Sequence, residues 1–173
     1  MHVEASPARK EAAAALAKLI ELIYDETGTQ AVAELHEADA PKTCAAIWAA
    51  LEVPMRAKGI HAMFAGREIM IEMPEENQRF DPLTIPAENQ TITPLPGEIL
   101  WFYFPARSVV GLSRPIYDFA IFYGRDSRVL IANGWVPGNL FATITEGLAD
   151  FAQCCARVHS EGVKPFTVRR HSG

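Results

Sequence analysis

Residues 98–104 read EILWFYF, and this is the stretch of the sequence that most strongly favours a β-strand. Side chains of a strand point alternately to opposite faces. One face carries Leu100, Phe102 and Phe104, and the other carries Ile99, Trp101 and Tyr103. Both faces are therefore apolar, although a closed sheet has a single interior. The pattern predicts that a helix, a loop, another subunit or a ligand covers the face that points outward.

Segments rich in apolar and β-branched residues, bounded by turn residues, predict seven more strands. Their bounds are residues 18–24, 29–35, 59–64, 67–73, 116–123, 128–132 and 165–170. The segment 18–24 also fits the continuation of a preceding helix, because several of its apolar residues share one helical stripe. A hairpin is favoured, since a strand at 29–35 needs a partner and residues 25–28 have turn chemistry.

Two main helices are expected between these strands. Residues 43–51 form an alanine-rich run, with Pro41 near the first turn and Asp39 as the N-terminal cap. Residues 146–159 place their apolar side chains on one stripe. A further helix is expected to begin at Ser6. The fold class that accommodates these elements most economically is mainly β: a closed antiparallel β-barrel of about eight strands, with the two main helices plugging its ends.

Composition excludes several classes of protein. The chain has 173 residues, of which 49% are hydrophobic and 21% charged, and its formal net charge is −5. These values exclude wholesale disorder, and an acidic chain argues against a nucleic-acid partner. The sequence contains no apolar run long enough for a membrane span, and no secretory signal is expected. Its three cysteines cannot build a disulfide framework, so we expect reduced, packed thiols in a cytoplasmic protein.

Residues 75–97 are expected to form an ordered loop within the domain. The segment holds several prolines, and apolar residues such as Phe80 and Ile85 are threaded through it. Long loops of this kind are usually functional or packed over a site. The expected organisation is a helical extension at 1–16, a barrel domain at 17–170 and a tail at 171–173.

The hairpin of residues 59–73 carries the first candidate site. A two-residue turn at 65–66 would place His61 opposite Met70, with Glu68 as its diagonal neighbour. The outer face of the hairpin would then carry His61, Met63, Glu68, Met70 and Glu72. A carboxylate beside an imidazole can orient it or shift its pKa. The pattern predicts a groove with His61, Glu68 and Glu72 as catalytic groups, and the alternative is a solvated face whose methionines lie under a loop.

The strand at 98–104 and the turn that follows the 116–123 strand supply candidate substrate-binding residues. Trp101 and Tyr103 would form an aromatic wall for a planar substrate, unless the 75–97 loop or a helix covers them. Beside Tyr123, Arg125 or Arg128 would hold a substrate carboxylate in a bidentate fork. The alternative for residues 123–128 is an ordinary turn closed by a salt bridge.

A third candidate is Asn139, which lies in the turn-rich segment 134–141 and would bond a ligand at a pocket rim or serve the turn itself. No metal and no cofactor are expected. The five histidines are scattered, and the sequence has no Cys-x-x-Cys pair, glycine-rich phosphate loop or Gly-x-Ser-x-Gly motif. Cys44 has apolar neighbours and is expected to be an inert packed thiol.

The order of several short motifs is similar to that of one known family. The motifs are APKTCAAIW at 40–48, IHA at 60–62, GRE at 66–68, PAEN at 86–89, PGE at 96–98, AIFYGRDSR at 120–128 and GWVPGNLFATI at 134–144. Together they resemble the DUF3830 family of bacterial and archaeal proteins. The resemblance extends over roughly residues 18–170 and implies a cyclophilin-like barrel.

Proteins of similar barrel class suggest a chemistry by analogy, although a fold alone does not define a function. Cucumopine-type opine synthases and some alkaloid cyclases join an amine to an oxo acid or aldehyde and close a ring, which is Pictet–Spengler chemistry. Cyclophilins differ at one informative point: an arginine that handles the prolyl amide follows their strand histidine, whereas Ala62 follows His61 here. Their Phe-Met-x-Gln-Gly-Gly stretch is also missing, which argues against prolyl isomerase activity.

These observations predict a small-molecule enzyme that condenses an amine with an aldehyde or 2-oxo acid and cyclises the product. Glu68 or Glu72 would form an acid–base pair with His61. The alternative is a non-catalytic module that binds a small ligand or peptide. A third hypothesis, a peptidyl-prolyl isomerase, is disfavoured by the departures from the cyclophilin motifs. No nucleic-acid or membrane partner is expected, and an exposed face at Trp101 and Tyr103 would favour a homodimer.

Overall fold

The fold is given by a computed structural model that describes residues 17–109, 111–131 and 134–172. The strands in these residues are β1 Leu19–Tyr24, β2 Thr29–Leu35, β3 Met55–His61, β4 Glu68–Glu72, β5 Gln90–Thr91, β6 Glu98–Phe104, β7 Ile116–Phe122, β8 Leu130–Ile131, β9 Gly134–Trp135, β10 Gly138–Glu146 and β11 Lys164–Arg170. The α-helices are α1 Pro41–Ala50 and α2 Leu148–Glu161, and two short 3₁₀ turns lie at Glu75–Asn77 and Pro82–Thr84.

Eight antiparallel strands close into a barrel. Around the wall the order is β2-β1-β11-β3-β4-β7-β6-β10, and β10 pairs with β2 to complete the circle. The short β5 pairs with the edge of β10, and β8 and β9 form a separate hairpin outside the wall. The predicted mainly β fold and its closed antiparallel barrel are therefore confirmed, as is the hairpin of β1 and β2.

One predicted wall strand is wrong. The segment 128–132 contributes only β8, and the eighth wall strand is β10, whose first residues look like turn residues in the sequence. Gly138 explains the error, because the ring of Phe102 occupies the space where a β-carbon at position 138 would lie. The glycine at the start of β10 thus allows a close approach between β10 and β6.

The barrel interior is filled by one cluster of buried apolar side chains, to which all eight wall strands contribute. At one end, Phe151 of α2 packs on Phe166 of β11, with ring centroids 6.0 Å apart. At the other end of β11, the guanidinium of Arg170 donates to the carbonyl oxygen of Trp48 in α1 at 2.6 Å. The helices therefore lie at opposite ends of the barrel.

The bounds of the two predicted helices differ from those of α1 and α2 by one or two residues at each end. Cys44 in α1, and Cys154 and Cys155 in α2, are buried free thiols, as expected. Neither helix in the described ranges has the length and apolar character needed to cross a bilayer. The helix predicted to begin at Ser6, within the extension 1–16, lies outside the described residues.

The long loop between β4 and β6 is tied to α1 by a carboxylate that the sequence did not reveal as a cap. Glu88 accepts hydrogen bonds from the Thr43 amide at 2.5 Å and the Thr43 hydroxyl at 2.7 Å. Pro41 is in the first turn as predicted, but the N-cap position is Ala40, and no side chain of the cap residue bonds the helix. The predicted role of Asp39 as cap is wrong, because Glu88 supplies the acceptor from 45 residues away.

Replacement of Glu88 by alanine should lower the free energy of unfolding by about 1–2 kcal/mol, the usual effect of losing a helix cap. The matched control is Asp39→Ala, which removes an exposed carboxylate beside the same helix end and should cost less than about 0.5 kcal/mol. Urea denaturation of both variants measures the difference. A larger loss in the Asp39 variant would contradict the assignment of the cap to Glu88.

Candidate active site

The β3–β4 hairpin pairs one residue away from the predicted register. Ile60 lies opposite Met70, and His61 lies opposite Ile69. The connection runs over residues 62–67 instead of a two-residue turn, and the Ala62 amide donates to the Glu68 carbonyl at 3.0 Å. A shift of one residue moves a side chain to the other face of a sheet. His61 and Glu68 therefore lie on opposite faces, and the prediction that they are neighbours is wrong.

Glu68 lies on the outer face of the barrel wall with a carboxyl group from β7. The pairing of β4 with β7 and of β7 with β6 places Asp118 on the same outer face as Phe102 and Glu72. Although this face points away from the barrel interior, it is largely apolar and forms a second buried cluster. The members of this cluster are Ala65, Leu100, Phe102, Ala120, Phe122 and Val129.

A pocket of about 440 Å³ opens on this outer face. Its walls come from the wall strands, from the loop at 62–65, from the loop before β7 and from β8. The lining residues are Ile60, His61, Ala62, Met63, Phe64, Ala65, Glu68, Met70, Phe102, Phe104, Val109, Gly111, Leu112, Ile116, Asp118, Val129 and Ile131. The volume suits a small organic molecule, and the walls are mostly apolar.

The two carboxyl groups of this pocket are almost completely withdrawn from solvent. Glu68 is 6% exposed and Asp118 is 5% exposed. Burial raises the pKa of Glu68 to about 7, because a charged carboxylate is poorly stabilised among apolar groups. Burial also raises the pKa of Asp118 well above its usual value, and the nearby charge of Glu68 raises it further. A carboxyl group with a pKa of about 7, such as Glu68, can both donate and accept protons near neutral pH.

Asp118 also has an unsatisfied hydrogen-bonding capacity. Its Oδ1 atom is buried and has no hydrogen-bond partner in the described part of the chain. Buried polar atoms of native proteins usually have a partner, so an unpaired one beside a pocket points to a ligand or water. This residue was missed at the sequence level. The signal was available, since an aspartate in the middle of the apolar strand IYDFAIF is unusual.

Glu72, the third predicted catalytic residue, has a partly exposed side chain. Its carboxylate forms a two-point ion pair with the guanidinium of Arg114, and the Nη2–Oε2 distance is 2.7 Å. The pair borders an adjoining groove that also contains Lys58 and Gln78. Glu72 is thus already neutralised by an arginine and does not line the pocket that contains Glu68.

His61 borders the outer pocket, but its ring belongs to a different cluster. Its Nδ1 atom is 2.9 Å from the Ala62 carbonyl oxygen, and its Nε2 atom is 2.7 Å from the Tyr123 hydroxyl. Since a carbonyl can only accept, Nδ1 carries the proton and Nε2 of the neutral ring accepts from Tyr123. Burial lowers the pKa of His61, and His159, whose ring centroid is 4.8 Å away, lowers it further.

The aromatic residues predicted to form a substrate wall are largely covered by the chain itself, and together with Asn139 they border a separate cavity of about 280 Å³. Trp101 is 3% exposed, and its ring packs edge-on against Phe80 of the long loop at 5.5 Å. Tyr103 packs against Tyr117 at 5.1 Å. Cover by the 75–97 loop was the alternative left open by the sequence. It removes the exposed face on which the homodimer prediction depended, and neither Trp101 nor Tyr103 is among the described residues that line the outer pocket.

The remaining predicted binding residues do not line this pocket either. Arg125 and Arg128 are exposed on the turn after β7, which Ser127 stabilises by donating to the Gly124 carbonyl at 3.2 Å. Asn139 is buried, and its amide donates to the Thr43 hydroxyl at 3.0 Å, so that it ties β10 to α1. Of the predicted site residues, only Glu68 and the border residue His61 line the outer pocket, and they do so from opposite faces of the hairpin. The functional role of each predicted site residue stays a prediction.

In the described ranges, no group of three or more histidine, cysteine, aspartate or glutamate side chains is arranged to hold a metal ion. The Cys44 thiol donates to the Phe141 carbonyl at 3.3 Å, and burial raises its pKa to about 12. A thiol with so high a pKa is almost entirely protonated at neutral pH and is a poor nucleophile.

Comparisons with known proteins identify the family. A model of the family described as "Protein of unknown function (DUF3830)" matches residues 22–169, so the chain belongs to the DUF3830 family. No curated protein matches it. The match runs from within β1 to near the end of β11 and confirms the resemblance found in the sequence motifs.

Three solved structures share the fold at low sequence identity. McbB in complex with tryptophan is 16% identical with a TM-score of 0.62, and the match covers 89% of this chain and 45% of that chain. The Mimivirus cyclophilin is 12% identical with a TM-score of 0.52, over 89% and 87% of the two chains. A hypothetical protein from Archaeoglobus fulgidus is 17% identical with a TM-score of 0.50, over 90% and 96%. The likeness establishes the cyclophilin-like fold, and the chain spans less than half the length of the McbB chain.

Replacement of Glu68 by glutamine should stabilise the protein at pH 8 and have little effect at pH 4. The folded state raises the pKa of Glu68 from 4.5 to about 7. Between these values the unfolded chain loses its proton first, so the stability contributed by protonated Glu68 is lost as the pH rises. The glutamine variant lacks this titration and should gain roughly 1–3 kcal/mol at pH 8 relative to the wild type.

Urea denaturation at the two pH values measures this gain. Glu72→Gln is the matched control, since it removes a carboxylate from the same strand that is paired with Arg114 and partly exposed. The control should show no gain at pH 8. Equal effects of Glu68→Gln at pH 4 and pH 8 would contradict the raised pKa.

Proposed function

We propose that this protein is a small-molecule enzyme that condenses an amine with a carbonyl compound and closes a ring. Glu68 and Asp118 act as its acid–base groups. The observation that carries the proposal is the placement of a nearly buried carboxyl group, with a pKa of about 7, in an apolar pocket large enough for a small aromatic amine. The likeness to McbB, whose structure contains tryptophan, supports a site for an aryl-bearing amine.

The reaction needs a proton donor and then a proton acceptor. The free amine adds to the carbonyl carbon and forms a carbinolamine. A protonated carboxyl group gives its proton to the carbinolamine hydroxyl, which leaves as water and produces an iminium ion. An aromatic carbon then forms the new C–C bond with the iminium carbon. The carboxylate takes the proton that this ring carbon loses, so the enzyme returns to its starting state and the net products are the cyclised amine and water.

A carboxyl group with a pKa near 7 is suited to both proton transfers. At neutral pH it is present in both forms, and neither transfer is strongly uphill. The Asp118 carboxyl, whose pKa is also raised, provides a second group on the same wall. Proton transfer by a positioned side chain of this kind typically accelerates a reaction by about 10²–10⁴-fold.

The apolar walls would serve the aromatic part of the substrate. Phe102 and Phe104 lie on the same face of β6, with ring centroids 6.1 Å apart and an interplanar angle of 11°. Leu112 faces them from the loop before β7 as part of the same pocket lining. These residues take the role that the sequence had suggested for Trp101 and Tyr103. His61 is not a partner of Glu68 in the proposed reaction, because its ring lies on the opposite face.

A second candidate function is a module that binds an apolar ligand without converting it. The pocket rim favours this alternative, since Met63 is 85% exposed and Phe64 is 59% exposed. Apolar side chains so accessible at the mouth of a pocket are typical of binding surfaces. Turnover separates the two functions, because a binding module would retain the ligand unchanged.

The experiment incubates the protein with 2-arylethylamines and small aldehydes and detects cyclised products by mass spectrometry. Glu68→Gln should lower kcat by at least about 100-fold, and Asp118→Asn should lower it less severely. Glu72→Gln, the control from the same strand, should stay within a few-fold of the wild type. Full turnover by Glu68→Gln would remove the assigned acid–base group, and ligand binding without product in the wild type would favour the binding module.

A further inference from the structure

We infer that the outer pocket selects an apolar amine that carries no carboxylate, together with a neutral aldehyde in preference to a 2-oxo acid. The reaction part of this inference rests on the proposed function, whereas the selection at binding does not. The sequence had suggested the opposite, namely an arginine that holds a substrate carboxylate. The charges found around the pocket carry the inference.

The charged side chains among the described residues that line the pocket are both acidic. Glu68 and Asp118 supply two carboxyl groups, and the described lining contains no lysine or arginine. His61 cannot take the place of a cation there, because its ring nitrogens are engaged with Ala62 and Tyr123 on the other side of the sheet. At pH 8, above the pKa of about 7 of Glu68, a bound carboxylate would meet the like charge of Glu68 in an apolar environment, which is strongly unfavourable.

The basic residues beside the pocket do not contribute to its described lining. Arg114 forms its two-point ion pair with Glu72 and borders the adjoining groove. Arg125 and Arg128 project from an exposed turn and do not contribute to the described lining. A carboxylate bound within the pocket would therefore find no cation in its described lining. Exclusion by an unpaired charge of this kind is an effective source of specificity.

The unpaired Oδ1 atom of Asp118 fits the other half of the inference. An alkylammonium group carries three donors and no acceptor. It would satisfy this buried acceptor and, above the pKa of about 7 of Glu68, pair with the negative charge of that residue. The apolar body of the amine would then lie against Phe102, Phe104 and Leu112 in a pocket of about 440 Å³. An amine with one or two aromatic rings matches this volume.

Tryptamine and tryptophan test the inference, because they differ by a single carboxylate. Calorimetry at pH 8 should give a Kd for tryptamine at least tenfold lower than that for tryptophan, a ratio equivalent to about 1.4 kcal/mol. The preference should fall to less than threefold in the Glu68→Gln/Asp118→Asn double variant. It should persist in Asp39→Ala, which removes an exposed carboxylate that does not line the pocket. Equal or tighter binding of tryptophan, a preference unchanged by the double variant, or binding of neither compound would overturn the inference.

Two further measurements complete the test. The first compares binding at two pH values in the wild type and does not depend on the folding of the variants, and the second separates the inference from the proposed function. In the wild type the preference should shrink at pH 5, below the pKa of about 7 of Glu68, where this carboxyl group is largely protonated while both amines remain charged. An unchanged preference at pH 5 would count against the two carboxyl groups. Product formed from tryptophan but not from tryptamine would overturn the inference and leave the proposed function intact. Selective tryptamine binding without any product would support the selection at binding and contradict the proposed function.

Discussion

The structure depends on a geometric constraint. Two neighbouring strands of this barrel, β6 and β7, are apolar on both faces, but a closed barrel has only one interior. In β6 and β7 the inward side chains fill the barrel, and the outward ones, such as Phe102 and Phe122, form a second apolar cluster. Water contact with so much apolar surface is unfavourable. Loops and the β8–β9 hairpin cover part of it, and the remainder forms the pocket. The candidate site thus follows from the excess of apolar residues in the wall.

The same constraint gives two carboxyl groups their unusual chemistry. Glu68 and Asp118 lie in the outer apolar face, where loops exclude most of the solvent. A carboxyl group in such surroundings favours its neutral form, and a second one nearby strengthens this tendency. The protein retains a destabilising feature at this position, and strained or desolvated groups of this kind are concentrated at functional sites. Glu72, on the same strand but nearer solvent, forms an ordinary ion pair with Arg114.

The sequence predicted the elements of the fold better than the grouping of residues at the site. The apolar strands, the β1–β2 hairpin and both helices could be predicted, because each depends on local periodicity and on turn or capping residues. The register of the β3–β4 hairpin could not, since it depends on the number of residues in a loop whose form is stabilised from outside. The Arg67 amide, for example, bonds the Ser127 hydroxyl at 3.2 Å and the Tyr123 amide bonds the Arg67 carbonyl at 2.9 Å.

The sequence by itself determined the fold class, the family and the presence of an outward apolar surface, because these properties are written in side-chain alternation and in short contiguous motifs. Only the tertiary structure decided which groups share a pocket. It placed His61 with Tyr123 and His159, and it placed Glu68 with Asp118. The physical reason is that a face of a sheet is assigned by pairing between distant strands, and one added loop residue exchanges the two faces without changing the local pattern.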